Sequence, residues 1–166
     1  MSAFVLSQLL IGVAFLIDLA SFQFRERCYV LMCLAAAACL IGVHFWLLDA
    51  YTAAFLGFLA ALRFITALFS RSPLLLMLFL GVVLVNAVLT WVGVMSLLAT
   101  VGSLISTTAA FLHSDRGFRI MMMIASLFWI AHNAVAQSPA AIALESFFLL
   151  SNLVGYYRHH LRGLRE

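Results

Sequence analysis

The segment FQFRER at Phe22–Arg27 has a counterpart in FLHSDR at Phe111–Arg116. Both are polar segments between long apolar runs, and together they determine the fold that the sequence predicts. The two segments are offset by 89 residues, from Arg27 to Arg116. Three further polar pairs align at the same offset, namely Asp18 with Thr107, His44 with Asn133, and Arg63 with Asn152. Because polar residues of apolar segments align with one another, the pattern predicts two copies of one helical unit, a construction that membrane transporters use.

The composition predicts an integral membrane protein. Hydrophobic residues make up 66% of the 166 residues and charged residues 9%, and the mean hydropathy is +1.17. Soluble domains are only about half apolar. Arginine first appears at Arg25, so residues 3–22 are predicted to be the first transmembrane helix rather than a cleaved signal. Membrane lipids are the expected surroundings, a homo-oligomer is compatible with the sequence, and no cofactor, metal ion or nucleic acid is expected.

Seven apolar runs follow one another with short breaks, and each has the length of about 20 residues that a spanning helix needs. The runs cover residues 3–22, 28–48, 51–70, 73–90, 95–112, 117–136 and 139–157. We therefore predict an all-α protein with seven transmembrane helices, arranged as two parallel three-helix bundles joined by a linker helix (3+1+3). The predicted segments are the first bundle at 1–72, the linker helix at 73–92, the second bundle at 93–160 and a cytoplasmic tail at 161–166.

The basic residues predict the orientation. All nine are arginine, and apart from Arg63 they follow the odd-numbered helices, at positions 25, 27, 71, 116, 119, 158, 162 and 165. Because cytoplasmic loops carry the excess of positive charge, the N-terminus is predicted outside and the C-terminus in the cytoplasm.

Five residues are candidates for substrate binding. Asp18 and Arg63 lie at similar depths, about 22 Å and about 18 Å along their helices from the outer side, so the sequence predicts an ion pair between them. Thr107 and Asn152 take those places in the second copy, and Trp129 could stack on a ring-shaped ligand. The alternatives are an ion pair that only stabilises the first bundle and a tryptophan that only fills the core.

Four residues nearer the outer face are candidates for a proton-linked gate: His44, His132, Asn133 and Glu145. Histidine can change its charge near neutral pH, and a carboxylate in an apolar setting can bind a proton. For any one of them, a simple interhelical hydrogen bond is the alternative.

Several short motifs resemble those of the YgjV-type bacterial inner-membrane proteins. They are HFWLLDAYTAAFLGFLAALR at His44–Arg63, WxxHN at Trp129–Asn133, then Ser138, Glu145, and SNxxG at Ser151–Gly155. That family is remotely similar to the SWEET, PQ-loop and KDEL-receptor superfamily, which implies three-helix bundles. The chain lacks a Pro-Gln pair, and its prolines, Pro73 and Pro139, stand at helix starts, so the resemblance implies the SWEET-like fold more than the SWEET transport cycle.

The leading functional hypothesis is a transporter of a small polar molecule, not an enzyme, with a central site between the two bundles and a proton-linked outer gate. One alternative is a receptor or auxiliary protein that uses the same cavity without transport. The other is an intramembrane zinc-dependent lipid hydrolase, with His44, His132 and either Glu145 or Asp49 as the metal ligands.

Overall fold

The computed structural model describes residues 3–47, 51–91, 93–135 and 139–162, and all regular structure in these ranges is helical. The α-helices found there are α1 (Ala3–Ser21), α2 (Arg27–Leu47), α3 (Tyr51–Phe69), α4 (Pro73–Leu89), α5 (Val94–Phe111), α6 (Asp115–Val135) and α7 (Pro139–Tyr156). A π-helical segment, Tyr157–Leu161, continues α7. The seven helices predicted from the apolar runs are confirmed, and their bounds agree to within two residues.

Local sequence explains how α4 and α5 begin. Ser72 precedes α4, and its hydroxyl accepts a hydrogen bond from the backbone N–H of Leu74, at 3.3 Å. Pro73 then occupies the first helical turn, where its missing N–H removes no helical hydrogen bond. Gly93 precedes α5 with φ 63° and ψ −138°, a conformation that residues with a Cβ rarely adopt. The chain therefore reverses between α4 and α5 at a position that favours glycine.

The chain divides into two compact units, of which the first contains α1–α3. In this unit α2 packs against both α1 and α3. Its core is rich in small side chains, since Ala14, Ala37, Ala61 and Ala67 are all at most 2% exposed. Small residues allow helix backbones to approach closely, which is how helices commonly associate within membranes.

The second unit contains α4–α7. Here α5 packs against α4 and α6, and α6 packs against α7. The rings of Phe79 in α4 and Phe111 in α5 lie 5.8 Å apart between centroids. Since α4 contacts α5, it belongs to this unit by its packing, whereas the predicted division into a linker helix and two bundles stays a prediction.

Large apolar side chains lie on the described surface, and ten polar or charged residues lie among the described buried ones. Large apolar side chains such as Leu16, Phe69 and Leu74 are 64%, 85% and 78% exposed. The buried polar and charged residues are Ser7, Ser21, Arg27, His44, Ser106, Thr107, Arg119, Ser126, Ser151 and Asn152. Three segments have the length and composition to cross a membrane, namely Arg27–His44, Val94–Phe111 and Asp115–Val135, and shorter apolar helices accompany them. This distribution is typical of a helical membrane protein, in which polar side chains face inward.

Candidate functional site

A histidine connects the first two helices of the first unit. The Nδ1 atom of His44 in α2 lies 2.8 Å from the backbone carbonyl oxygen of Ser7 in α1. A carbonyl oxygen can only accept, so Nδ1 carries the hydrogen and donates it. In the neutral ring, Nε2 is then the acceptor nitrogen. His44 is only 7% exposed, so this hydrogen bond joins α1 to α2 in the interior of the unit.

The second unit repeats this hydrogen bond. Nδ1 of His132 in α6 donates to the carbonyl oxygen of Met95 in α5, at 2.9 Å. In both units donor and acceptor are 37 residues apart in the sequence. The second bond therefore lies 88 residues after the first, from Ser7 to Met95 and from His44 to His132. The offset of 89 was wrong by one residue, and the structural counterpart of His44 is His132 rather than Asn133.

The burial pattern agrees with the offset of 88. Buried residues of the first unit have buried counterparts in the second: Val30 with Phe118, Leu31 with Arg119, Leu34 with Met122, Ala37 with Ala125, Ala38 with Ser126, Phe64 with Asn152, and Ala67 with Gly155. A shift of one residue rotates a helical position by about 100°, which would place several of these residues on the wrong face. The counterparts of Asp18 and Arg63 are thus Ser106 and Ser151, instead of Thr107 and Asn152.

The two predicted charged residues of the first unit have different surroundings. Asp18 is partly buried and close enough to Cys33 in α2 to act electrostatically on its thiol. The guanidinium carbon of Arg63 lies 4.7 Å from the centroid of the Phe64 ring, a cation–π distance. The ion pair between Asp18 and Arg63 stays a prediction.

The predicted residues of the second unit are more deeply placed. Thr107 and Asn152 are both 0% exposed. The side-chain amide of Asn152 donates from Nδ2 to the backbone carbonyl oxygen of Arg119 in α6, at 2.9 Å. This bond fixes the amide orientation, and the buried Oδ1 atom has no hydrogen-bond partner in the described part of the chain. Asn152 therefore offers an acceptor to any donor group that reaches it.

Trp129 lies between α5 and α6. A Cβ added to Gly102 of α5 would come 3.1 Å from the indole Nε1 atom, so the ring packs against the bare α-carbon of this glycine. Trp129 also meets the ring of His132 edge-on, with the centroids 5.4 Å apart. The tryptophan thus positions His132 beside α5, and its predicted stacking on a ligand stays a prediction.

Glu145 in α7 is partly buried, and its carboxyl group lies within hydrogen-bonding reach of the Ser126 hydroxyl in α6. Ser126 is 2% exposed. The sequence singled out Glu145 but not Ser126, because a lone serine in an apolar helix gives no signal of its own. Asn133 follows Ser126 by two helical turns on the same face of α6 and is partly exposed.

The sequence also missed a charged cluster at the start of α6. The Asp115 carboxylate accepts a hydrogen bond from Nε of Arg119, at 2.9 Å, and lies 2.7 Å from Nε2 of His160. Arg119 is fully buried. Beside them, Nε of Arg116 donates to the Tyr156 hydroxyl at 3.0 Å. The spacing of four residues between Asp115 and Arg119 was a usable signal, since such pairs face each other on a helix.

Two residues named from the sequence, Asp49 and Ser138, lie outside the described residues. Among those that are described, no three His, Cys, Asp or Glu side chains lie close enough together to hold a metal ion.

The fold and these buried polar groups define a helical membrane protein. The chain belongs to the Imp-YgjV family of bacterial inner membrane proteins, because the model of that family matches residues 5–163. It is 29% identical to the inner membrane protein YgjV of Escherichia coli (strain K12), over 167 residues that cover 99% of this chain and 91% of the relative. The family that the sequence motifs predicted is confirmed. No solved structure matches the chain.

Proposed function

We propose that the protein transports a small polar molecule across the bacterial inner membrane. In this proposal all seven helices cross the bilayer, with the N-terminus outside, and α1–α3 and α5–α7 are two parallel, SWEET-like three-helix bundles connected by α4. The histidine-to-carbonyl hydrogen bond carries the proposal, because it occurs at equivalent positions of both units. Duplicated helical units with buried polar side chains are characteristic of transporters.

The proposed substrate contacts are Asp18 and Arg63 in the first unit and Thr107, Trp129 and Asn152 in the second. Asn152 is the best supported of them, because its buried Oδ1 atom is an acceptor for which the described residues supply no donor. An unsatisfied buried polar group costs about 1–3 kcal/mol, and a hydroxyl or ammonium group of a substrate would recover that energy. The proposed gate consists of His44, His132, Asn133 and Glu145.

Transport can be measured without knowing the substrate. Proteoliposomes loaded with a bacterial metabolite extract are diluted into buffer, and mass spectrometry follows which polar solutes leave faster than from protein-free liposomes. We expect a small set of chemically related solutes to escape. Asn152→Leu and Thr107→Val are expected to slow their efflux at least tenfold, because each removes a buried hydrogen-bonding group.

Ser146→Ala is the matched control, since the Ser146 hydroxyl bonds to the Ile142 carbonyl of its own helix at 2.7 Å and should leave efflux unchanged. Efflux identical to that from protein-free liposomes would contradict transport. If a solute raised the thermal stability of the protein without crossing the membrane, the receptor hypothesis would replace the transporter.

A further inference from the structure

A stripe of exposed apolar side chains runs along α7 and past its end. Residues four apart lie on the same side of a helix. Leu153, Tyr157 and Leu161 have this spacing, and all three are exposed. The backbone stays helical over the stretch, since the N–H of Arg162 donates to the carbonyl oxygen of Tyr157. The apolar surface of α7 therefore extends into the π-helical segment.

The neighbouring stripe changes from apolar to basic along the same stretch. Val154 is exposed, and the residues four and eight positions later are the exposed Arg158 and Arg162. The helix α7 has 18 residues, a length of about 27 Å, which is close to the thickness of about 30 Å of the hydrocarbon core. The change from Val154 to Arg158 thus falls where a helix of this length passes from hydrocarbon into the headgroup layer.

The third side of the segment faces the protein. The rings of Tyr156 and His160 lie 5.3 Å apart between centroids, and Nε2 of His160 lies 2.7 Å from the Asp115 carboxylate. The Tyr156 hydroxyl accepts a hydrogen bond from Nε of Arg116, at 3.0 Å. These contacts hold the segment against the start of α6, so the apolar and the basic stripe are fixed on the outside of the unit.

Positive charge predominates at this end of the unit, counted over the described residues. Four arginines there are partly or fully exposed, namely Arg71, Arg116, Arg158 and Arg162. Asp115 pairs with the buried Arg119, and Glu145 lies about 18 Å back along α7 from the segment. An anionic group that approaches this end from the headgroup layer therefore meets an excess of arginine.

We propose that the outer side of residues 157–162 is a docking site for an anionic phospholipid. The lipid phosphate binds Arg158 and Arg162, because a guanidinium group presents N–H donors in a fork that matches phosphate oxygens. An acyl chain lies along Leu153 and Leu161, and Tyr157 is an aromatic residue of the kind that membrane interfaces favour. A soluble anion or an acidic protein would use the arginines and leave the apolar stripe uncovered, so a lipid is the occupant that fits both stripes. Docking requires that α7 crosses the bilayer, and it does not require transport.

Native mass spectrometry of the full-length protein, released from detergent micelles, tests the site. Titration with phosphatidylglycerol and, separately, with phosphatidylcholine gives an apparent Kd for each lipid. We expect phosphatidylglycerol to bind about tenfold tighter or more, since each arginine near an anionic headgroup contributes about fivefold. Arg158→Gln and Arg162→Gln should each weaken its binding about fivefold and leave phosphatidylcholine unaffected.

Two control variants separate this site from a general effect of charge. Arg25→Gln removes an exposed arginine from the break between α1 and α2 in the other unit, and it should change binding less than about twofold. Arg158→Lys retains the charge and should also stay within about twofold of the unmutated protein. Equal losses in Arg25→Gln and Arg158→Gln would overturn the proposal, as would a loss in Arg158→Lys equal to that in Arg158→Gln.

Soluble competitors identify the occupant. Glycerol 3-phosphate carries a phosphate without acyl chains, and a polyglutamate peptide represents an acidic protein surface. Neither is expected to displace phosphatidylglycerol at equal concentration. Displacement by either one would show a site for a soluble anion or for a protein partner and would overturn the lipid assignment, and equal affinity for the two lipids would do the same.

Discussion

Replacing Gly57 by alanine tests the close contact of α2 and α3. The new Cβ would lie 2.9 Å from Gly42 Cα, whereas carbon atoms pack at about 3.5–4.0 Å. Because the nearest atoms belong to the backbone, no side-chain rotation relieves the clash. The two helices must therefore separate by about 0.5–1 Å, which loses a quarter to a half of the local van der Waals attraction.

Overpacking of this kind costs about 1–3 kcal/mol. Alanine is the better helix former by about 1 kcal/mol, which offsets part of the cost. We therefore expect Gly57→Ala to lower the free energy of unfolding by up to about 2 kcal/mol. Gly12→Ala in α1 is the matched control, because no atom lies within 4 Å of its added Cβ and only the gain in helix propensity applies. It should stabilise by about 0.5–1 kcal/mol.

Denaturation of both variants in mixed micelles, followed by far-ultraviolet circular dichroism, gives the two free energies. The expected gap between the variants is the overpacking cost, about 1–3 kcal/mol, because both gain the helix propensity of alanine. If Gly57→Ala proved as stable as Gly12→Ala, the close backbone contact between α2 and α3 would be contradicted.

Three further substitutions have defined outcomes. Asp115→Ala removes the carboxylate that pairs with the fully buried Arg119 and contacts His160, and it should cost about 3 kcal/mol. His160→Ala removes one partly exposed contact and should cost about 1 kcal/mol. Equal losses in the same denaturation assay would argue against the cluster. Gly93→Ala should cost about 1–3 kcal/mol through backbone strain alone, since its added Cβ meets no atom within 4 Å, and an unchanged melting temperature would refute this. Ser72→Ala removes the side-chain cap of α4 and should cost about 1 kcal/mol, measured as earlier hydrogen exchange in the first turn of that helix.

The helices were predictable because their limits are set by local chemistry. Breaks such as Arg25–Arg27 and His113–Arg116 interrupt apolar runs whose length is fixed by the thickness of a bilayer. Pro73 and Gly93 mark the starts of α4 and α5 through their own backbone preferences. None of these signals depends on a distant part of the chain, and the observed helices agree with them.

The site was only partly predictable. Glu145, His132 and Asn152 were named as candidates because a polar residue in an apolar helix is conspicuous, and their functional roles stay predictions. Ser126 and His160 were missed because each matters through a contact with a residue distant in the sequence, Glu145 and Asp115 respectively. The position of a residue in the sequence does not reveal such contacts. The alignment of the copies failed by one residue because matching polar letters does not determine which face of a helix each residue occupies.

By itself, the sequence determined the class of protein and the seven helices of the described residues, since hydrophobicity and helix-ending residues act locally. The tertiary structure decided the offset of 88 residues and the contrast between Gly57 against Gly42 and Glu145 beside Ser126. Contacts between helices depend on their rotation and their distance of approach. Those quantities are settled by all the packed side chains together, so only the folded units reveal that one interface is closed by glycine and the other carries an acid.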